Sequence, residues 1–206
     1  MRLPMIRFRT IAGLAAILGG ALALGNCDSP SGPVAQRRLF PLATGNFWVY
    51  VDSYFDHGNV VQVRVDTSIV TGTDSALGGL WWHIRQHTRG TWDVGSQVQL
   101  RDDGLHAVMF GFPGRFYESR TLLVPRDTAY SYNYLYQGDI AVYRTVRKLP
   151  DRVTVPAGTF GDCVEYEDQL ATNVLAQGVG ILRRTTPLDF FDSTRTTSTL
   201  VDFRLR

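Results

Sequence analysis

Three clusters of side chains in this 206-residue chain have the right types for chemistry. His83 and His87 stand four apart in WWHIRQHTRG. On a helix that spacing would aim both imidazoles at one metal ion. On a strand they share a face but stand ~13 Å apart at about 3.3 Å per residue, and a zinc–nitrogen bond spans only about 2.1 Å. The local pattern is that of a strand, so no metal site is expected from the pair. Cys163 lies in FGDCVEYED with no histidine beside it. A reactive thiol needs an electropositive, accessible setting, so a small core side chain is the expectation. Glu165, Glu167 and Asp168 bring three carboxylates close in sequence. Glu165 and Glu167 would share a strand face opposite Val164 and Tyr166, and a solvated outer face is expected for them. There is no G-x-S-x-G elbow, phosphate loop or dinucleotide fingerprint. His57 falls in a turn and His106 at a strand start. No catalytic residue, metal ligand or cofactor is expected, and the chain is read as not an enzyme.

The most suggestive cluster is aromatic. AYSYNYLYQG places Tyr130, Tyr132, Tyr134 and Tyr136 on one face of a strand, with Ser131, Asn133 and Leu135 opposite. A phenol offers an apolar ring and a polar tip. The four could line a binding surface for a lipid tail or a sugar ring, with Trp82 as companion. They could equally pack the core or rim of a curled sheet through cross-strand pairs.

The elements that must position these groups are strands. Val61, Val63, Val65, Thr67 and Ile69 alternate with Gln62, Arg64, Asp66 and Ser68, a period of two that marks a half-buried strand. Leu80, Trp82 and Ile84 alternate with Trp81, His83 and Arg85, and Val98 and Leu100 with Gln97, Gln99 and Arg101. Turn residues recur at Asp56-His57-Gly58-Asn59, Asp102-Asp103-Gly104, Pro113-Gly114 and Gln137-Gly138-Asp139. Roughly nine to eleven strands and no helical period follow. The predicted fold is all-β: a single antiparallel meander sheet strongly curled into an open or half barrel, with a two-sheet β-sandwich as the alternative.

The N-terminus carries an address. Arg2, Arg7 and Arg9 precede an apolar or small run from Ile11 to Leu24, 14 residues long. That is short of the roughly 20 residues of a spanning helix, and it fits a secretory signal. Leu24-Gly25-Asn26-Cys27 resembles a bacterial lipobox, with Asn26 a departure at a position usually held by Gly, Ala or Ser. The resemblance implies cleavage before Cys27 and lipid attachment to its thiol. Competing outcomes are ordinary cleavage after Ala21-Leu22-Ala23, which would leave both cysteines free to bridge, and an uncleaved anchor. The expected organisation is a lipoprotein signal peptide at 1–26, a flexible tether at 27–38 and a β-rich domain at 39–206. DSPSGPVAQRR, after Cys27, extends to at most about 36 Å. The signal removes three arginines, leaving 18 basic and 19 acidic residues, a net of −1. With no basic stripe, nucleic acid is not an expected partner.

Three segments carry a wider resemblance: LFPLATGNFWVY, VTVPAGTFGDCVEYE and GVGILRRT. They are similar to landmarks of a broad group of exported bacterial lipoproteins of unknown function, with Gln177 standing where many members have proline. That group is loosely similar to the open barrels of lipoprotein-localisation carriers, which cover an apolar concavity. Pro156 and Gly158 suit a tight reversal, and Gly178 and Gly180 permit a close backbone approach. The leading expectation is a cell-envelope lipoprotein, lipid-anchored and facing the periplasm or the cell exterior. Its partners would be the membrane, through the lipid, and an apolar or amphipathic ligand. The alternative is a structural or assembly component that pairs with an envelope protein through a sheet edge. A hydrolase with a dispersed site ranks third.

Overall fold

The computed structural model describes residues 39–88, 90–93, 95–111, 115–136, 140–188 and 194–206. The leader with Cys27, the tether, and the turns at Pro113-Gly114 and Gln137-Gly138-Asp139 lie outside the described residues. The described residues form fifteen strands and no helix. They are β1 (Phe47–Asp56), β2 (Asn59–Ala76), β3 (Gly79–Thr88), β4 (Thr91–Trp92), β5 (Ser96–Arg101), β6 (Gly104–Gly111), β7 (Arg115–Leu123) and β8 (Tyr130–Tyr136). There follow β9 (Ile140–Lys148), β10 (Val153–Val155), β11 (Gly158–Phe160), β12 (Cys163–Glu167), β13 (Thr172–Ala176), β14 (Gly180–Pro187) and β15 (Thr194–Arg204). The count exceeds the nine to eleven expected: β4, β10 and β11 are two or three residues long, too short for alternation to register, and the other twelve are one more than the upper bound.

Thirteen strands make one antiparallel sheet in the order β7-β6-β5-β3-β2-β1-β15-β14-β13-β12-β9-β8, with β4 on the flank of β3. The sheet is curled into an open barrel, as expected, and the sandwich alternative does not form: the second sheet is only the β10–β11 hairpin. Two meander arms meet where β1 pairs with β15, from Phe47↔Arg204 to Asp56↔Thr194. β7 and β8 are the two ends of the ladder and face each other across a seam.

Turn chemistry explains several reversals. His57 and Gly58 have φ of 48° and 82° between β1 and β2, the left-handed pair that a two-residue hairpin turn demands. Leu77 and Gly78 repeat this between β2 and β3 at 49° and 74°, a turn that Leu77 conceals from sequence reading. Gly104 opens β6 at φ +144°, where a Cβ would lie 2.1 Å from the Leu122 carbonyl oxygen.

The core lies on the concave face. Trp48, Tyr166, Leu175, Leu182 and Leu200 are each 0% exposed. The conspicuous sequence segments converge here. The Trp48 indole donates to the Val179 carbonyl at 2.7 Å, and the Tyr50 hydroxyl to the Ile181 carbonyl at 3.2 Å. Phe40 packs on Trp48 with ring centroids 4.8 Å apart, and its ring occupies the space a side chain at Gly180 would need, 2.9 Å away. Phe160 meets Phe203 at 5.9 Å, and the Ala157 amide donates to Leu200. Buried Asn46 donates to the Pro41 carbonyl and accepts from the Arg206 amide at 2.8 Å.

One strand is turned over relative to expectation. Across β1, Trp48, Tyr50, Asp52 and Tyr54 stand opposite Ser68, Asp66, Arg64 and Gln62. Trp48 faces the core, so the polar set of β2 faces inward. Val63 and Val65 face outward and are 57% and 60% exposed. Val70, at 0% exposure, joins the core just before the register shift between Val70 and Gly72.

Gly104→Ala combines a strained φ with a backbone clash and should cost about 2 kcal/mol or more. Gly58→Ala has a positive φ but no atom within 4 Å of its Cβ, and should cost only about 1–2 kcal/mol. Urea unfolding of the two variants checks the difference.

Candidate functional site

The seam between β7 and β8 gathers a set of phenols and a buried guanidinium on the concave side. β8 pairs with β9 so that Tyr130, Tyr132 and Tyr134 stand opposite Val146, Arg144 and Val142. All share the core-facing side, since Val142 and Val146 are at most 1% exposed. The rings stack in sequence, 6.2 Å from Tyr130 to Tyr132 and 6.4 Å from Tyr132 to Tyr134. Their hydroxyls reach outward to the neighbouring edge. Tyr130 donates to the Val124 carbonyl at 2.7 Å and Tyr132 to the Thr121 carbonyl at 2.9 Å. Tyr166, from β12, donates to the Leu123 carbonyl at 2.6 Å. Arg144 adds a guanidinium N–H to the Thr121 carbonyl.

Arg144 is held in place by Asp168, whose side chain is 0% exposed. Its Nε donates to Asp168 Oδ2 at 2.7 Å, and its Nη2 contacts the same oxygen. Tyr134 donates to Oδ2 at 3.0 Å, and the other oxygen, Oδ1, accepts the Leu170 and Ala171 amides at 2.7 and 2.9 Å. The buried charge is thus paired and saturated with hydrogen bonds, as burial of a charge demands. Arg144 also lies over the Tyr134 ring at 4.3 Å. Burial pushes the Tyr130 phenol up to about 12 and the Tyr134 and Tyr166 phenols higher still. These phenols therefore remain neutral donors at any physiological pH.

A second cluster sits on the other face of β5, β6 and β7. His106, 2% exposed, points Nδ1 at Glu118 Oε1 (2.6 Å) and Nε2 at Asp103 Oδ1 (2.7 Å). Arg101 grips Glu118 through two bonds of 2.6 and 2.8 Å and lies over the Trp81 ring at 5.5 Å. Burial disfavours the charged form of Glu118, but the His106 hydrogen bond and the Arg101 fork outweigh it and hold its carboxyl below the usual range. Asp103 is likewise lowered, the His106 bond outweighing burial. Each ring nitrogen of His106 is thus within hydrogen-bond distance of a carboxylate, and the imidazole is clamped between Glu118 and Asp103. Two shallow clefts flank the seam: about 200 Å³ beside Glu118, Ser119, Asn133 and Tyr134, and about 260 Å³ beside Asp103, Leu123, Pro125 and Tyr130. Both are smaller than the roughly 300–1,000 Å³ of small-molecule sites.

A third group lies inside β1 and β2. Asp66 shares a hydrogen bond with Asp52, which is 8% exposed. Desolvation first, then that bond and the Asp52 charge, raise Asp66 to about 6 against the pull of Thr88 and Arg64. Arg64 donates to the Tyr54 hydroxyl at 3.2 Å and lies 4.7 Å over its ring.

The remaining sequence candidates separate. Trp82 is on β3 opposite Val98, on the other arm of the sheet from the tyrosines; it and the Tyr130 and Tyr132 rings pack against the same core. Tyr136 belongs to β8, and its side chain, like Cys27, lies outside the described residues. His87 stacks with Trp92 at 5.0 Å. Among the described residues no group of three or more His, Cys, Asp or Glu is placed to hold a metal ion. Cys163 is 0% exposed, its thiol donating to the Phe160 carbonyl at 3.4 Å, and burial pushes its pKa up. Glu165 pairs with Arg147 on the outer side. Sequence reading missed Arg144, Asp168 as its partner, and the clamped His106.

No protein-family model matches the chain, and no curated protein matches it. A crystal structure of a putative lipoprotein from Parabacteroides distasonis is similar at 13% identity and a TM-score of 0.35, covering 81% of this chain and 98% of that one. A likeness at that score carries nothing over to this chain.

Arg144→Met strands the buried Asp168 carboxylate and should cost about 3–5 kcal/mol, read by urea unfolding. Pairing it with Asp168→Asn should recover part of that loss. The second expectation concerns pH. A carboxyl with a folded value near 6 and an unfolded value near 3.9 binds its proton more tightly when folded. Its contribution is fully present below about pH 4 and is lost as pH rises through about 6. Asp66→Asn should therefore melt at a higher temperature than the parent at pH 8, with the gain vanishing near pH 4, as thermal scans at both values will read.

Proposed function

We propose that this chain is a lipid-anchored cell-envelope protein that works as a non-enzymatic accessory or assembly module, engaging partners through its outer surface. The observation that carries this reading is the filled interior. Trp48, Tyr166, Leu175, Leu182 and Leu200 occupy the concave side with no exposed surface. The seam between β7 and β8 is plugged by Tyr130, Tyr132, Tyr166 and Arg144. A carrier of acyl chains needs an apolar concavity, and here side chains take that space. The clamped His106 and the neutral phenols are groups already committed to structural bonds, which supports a non-enzymatic role.

The anchor rests on Leu24-Gly25-Asn26-Cys27 and the polar tether that follows. Two or more acyl chains would give stable attachment, whereas one alone is marginal. The tether would keep the β domain close to the membrane surface, facing the periplasm or the exterior.

A ligand reading has one supporting observation. The cleft of about 260 Å³ beside Leu123, Pro125 and Tyr130 has an apolar wall with Arg126 and Asp103 at its rim. It would suit a short apolar group at most.

Two measurements test the reading. Intact mass of the mature protein should show a chain that begins at acylated Cys27, and Cys27→Ala should stop both acylation and cleavage. A mature chain starting at Leu24 with a free thiol would remove the anchor. Solvent extraction of the purified full chain should release no stoichiometric lipid or other small molecule. One equivalent of a bound ligand would overturn the surface-acting reading in favour of a carrier.

A further inference from the structure

β2 is staggered against its neighbours. Its ladder with β1 covers Asn59–Ile69, and its ladder with β3 covers only Thr67–Ala76. Among the described residues, Asn59–Asp66 therefore has a strand on one side and none on the other. That free edge is the apolar half of the strand: Val60, Val61, Val63 and Val65 are 54%, 63%, 57% and 60% exposed. The opposite overhang, Thr71–Ala76, which β1 does not reach, is Thr-Gly-Thr-Asp-Ser-Ala. One overhang is thus polar and glycine-interrupted, as solitary edges usually are, and the other alternates exposed valines with Gln62 and Arg64 and holds no Gly, Pro or Lys.

An edge of this kind presents unpaired N–H and C=O groups as well as valine side chains. A lipid surface could cover the valines but would leave the backbone groups unsatisfied. A strand satisfies both. The sequence of the edge suits its own antiparallel image. Centred on Val63, that register sets Val63 opposite Val63, Val65 of each copy opposite Val61 of the other, and Arg64 opposite Gln62. Within one chain Arg64 Nη2 already donates to Gln62 Oε1 at 2.6 Å, so the same donor–acceptor match is available across the pair. Like charges do not face each other, and the valines of both copies form one continuous outer stripe. A bulge lies where Tyr54 and Phe55 meet Val60–Gln62, and Arg64 faces inward; both limit generic pairing at this edge.

We propose that Asn59–Asp66 is a homotypic docking edge at which two copies of this chain join their sheets antiparallel about Val63. The inference deepens the surface-acting reading and rests on it for its setting beside the membrane. A free edge of eight residues is about 26 Å long and makes a modest contact. Confinement of both copies to one membrane would raise their effective concentration.

The test uses the full chain in membranes of the producing cells. In the proposed register the Cα atoms of residue 63 in the two copies lie about 4.5–5.5 Å apart, within disulfide reach. Under mild oxidation Val63→Cys should yield a covalent homodimer, while the parent chain and Thr73→Cys, on the polar overhang, should not. Val63→Lys should abolish the dimer seen by sedimentation in mild detergent while leaving the melting temperature within a few degrees of the parent. The proposal is overturned if Val63→Cys stays monomeric, if Thr73→Cys crosslinks equally, or if the Val63→Cys adduct contains a different protein. A monomer that purifies without ligand would sink only the docking edge. A dimer that carries a stoichiometric lipid would sink only the surface-acting reading.

Discussion

The closure of the sheet depends on how the β7 edge is satisfied without a partner strand. The carbonyls of Thr121, Leu123 and Val124 accept from phenols and a guanidinium that cross from β8, β9 and β12. A buried carbonyl left without a donor costs about 1–3 kcal/mol, and the bonds to the Thr121 and Leu123 carbonyls lie in part-buried surroundings. Side chains can bridge a gap that two backbones at ladder spacing cannot. The phenol suits the task because its ring packs against the core while its hydroxyl travels to the edge. Asp168 supports the arrangement from behind, since without it Arg144 would be a buried unpaired cation.

From that closure follows what the interior can hold. The aromatic and aliphatic side chains that meet behind the seam fill the concave side, and the landmark segments near each end of the domain lock into one another there. Trp48 and Tyr50 bond to the carbonyls of Val179 and Ile181, and Phe40 sits over Gly180. These residues serve the fold. The exposed valines of β2 lie on the outer side of the sheet, away from this packing.

Much of the architecture was legible because strands announce themselves by alternation and turns by Asp, Asn and Gly. The hairpin at His57-Gly58 and the shared face of Tyr130, Tyr132 and Tyr134 came directly from that pattern. Alternation does not say which side is the core, and β2 shows the consequence: Gln62, Arg64 and Asp66 face inward while Val63 and Val65 face solvent. The reason is register, since Trp48 and Tyr50 on β1 fix the inner side. The partners of the tyrosines were not legible either. Arg144 and Asp168 are 24 residues apart, and the accepting groups on β7 are backbone atoms, which carry no sequence signature. His106 read only as the start of a strand, because Glu118, which holds its Nδ1, lies 12 residues away in the chain.

The pairing of β1 with β15 has a consequence for how the molecule is made. The Asn46 side chain accepts from an amide 160 residues further along the chain, and the first strand finds its second neighbour only in the last. Contacts of such long range are slow to form. During synthesis from the N-terminus, Trp48 and its neighbours stay half-satisfied until β15 emerges, so the two arms of the sheet are joined late.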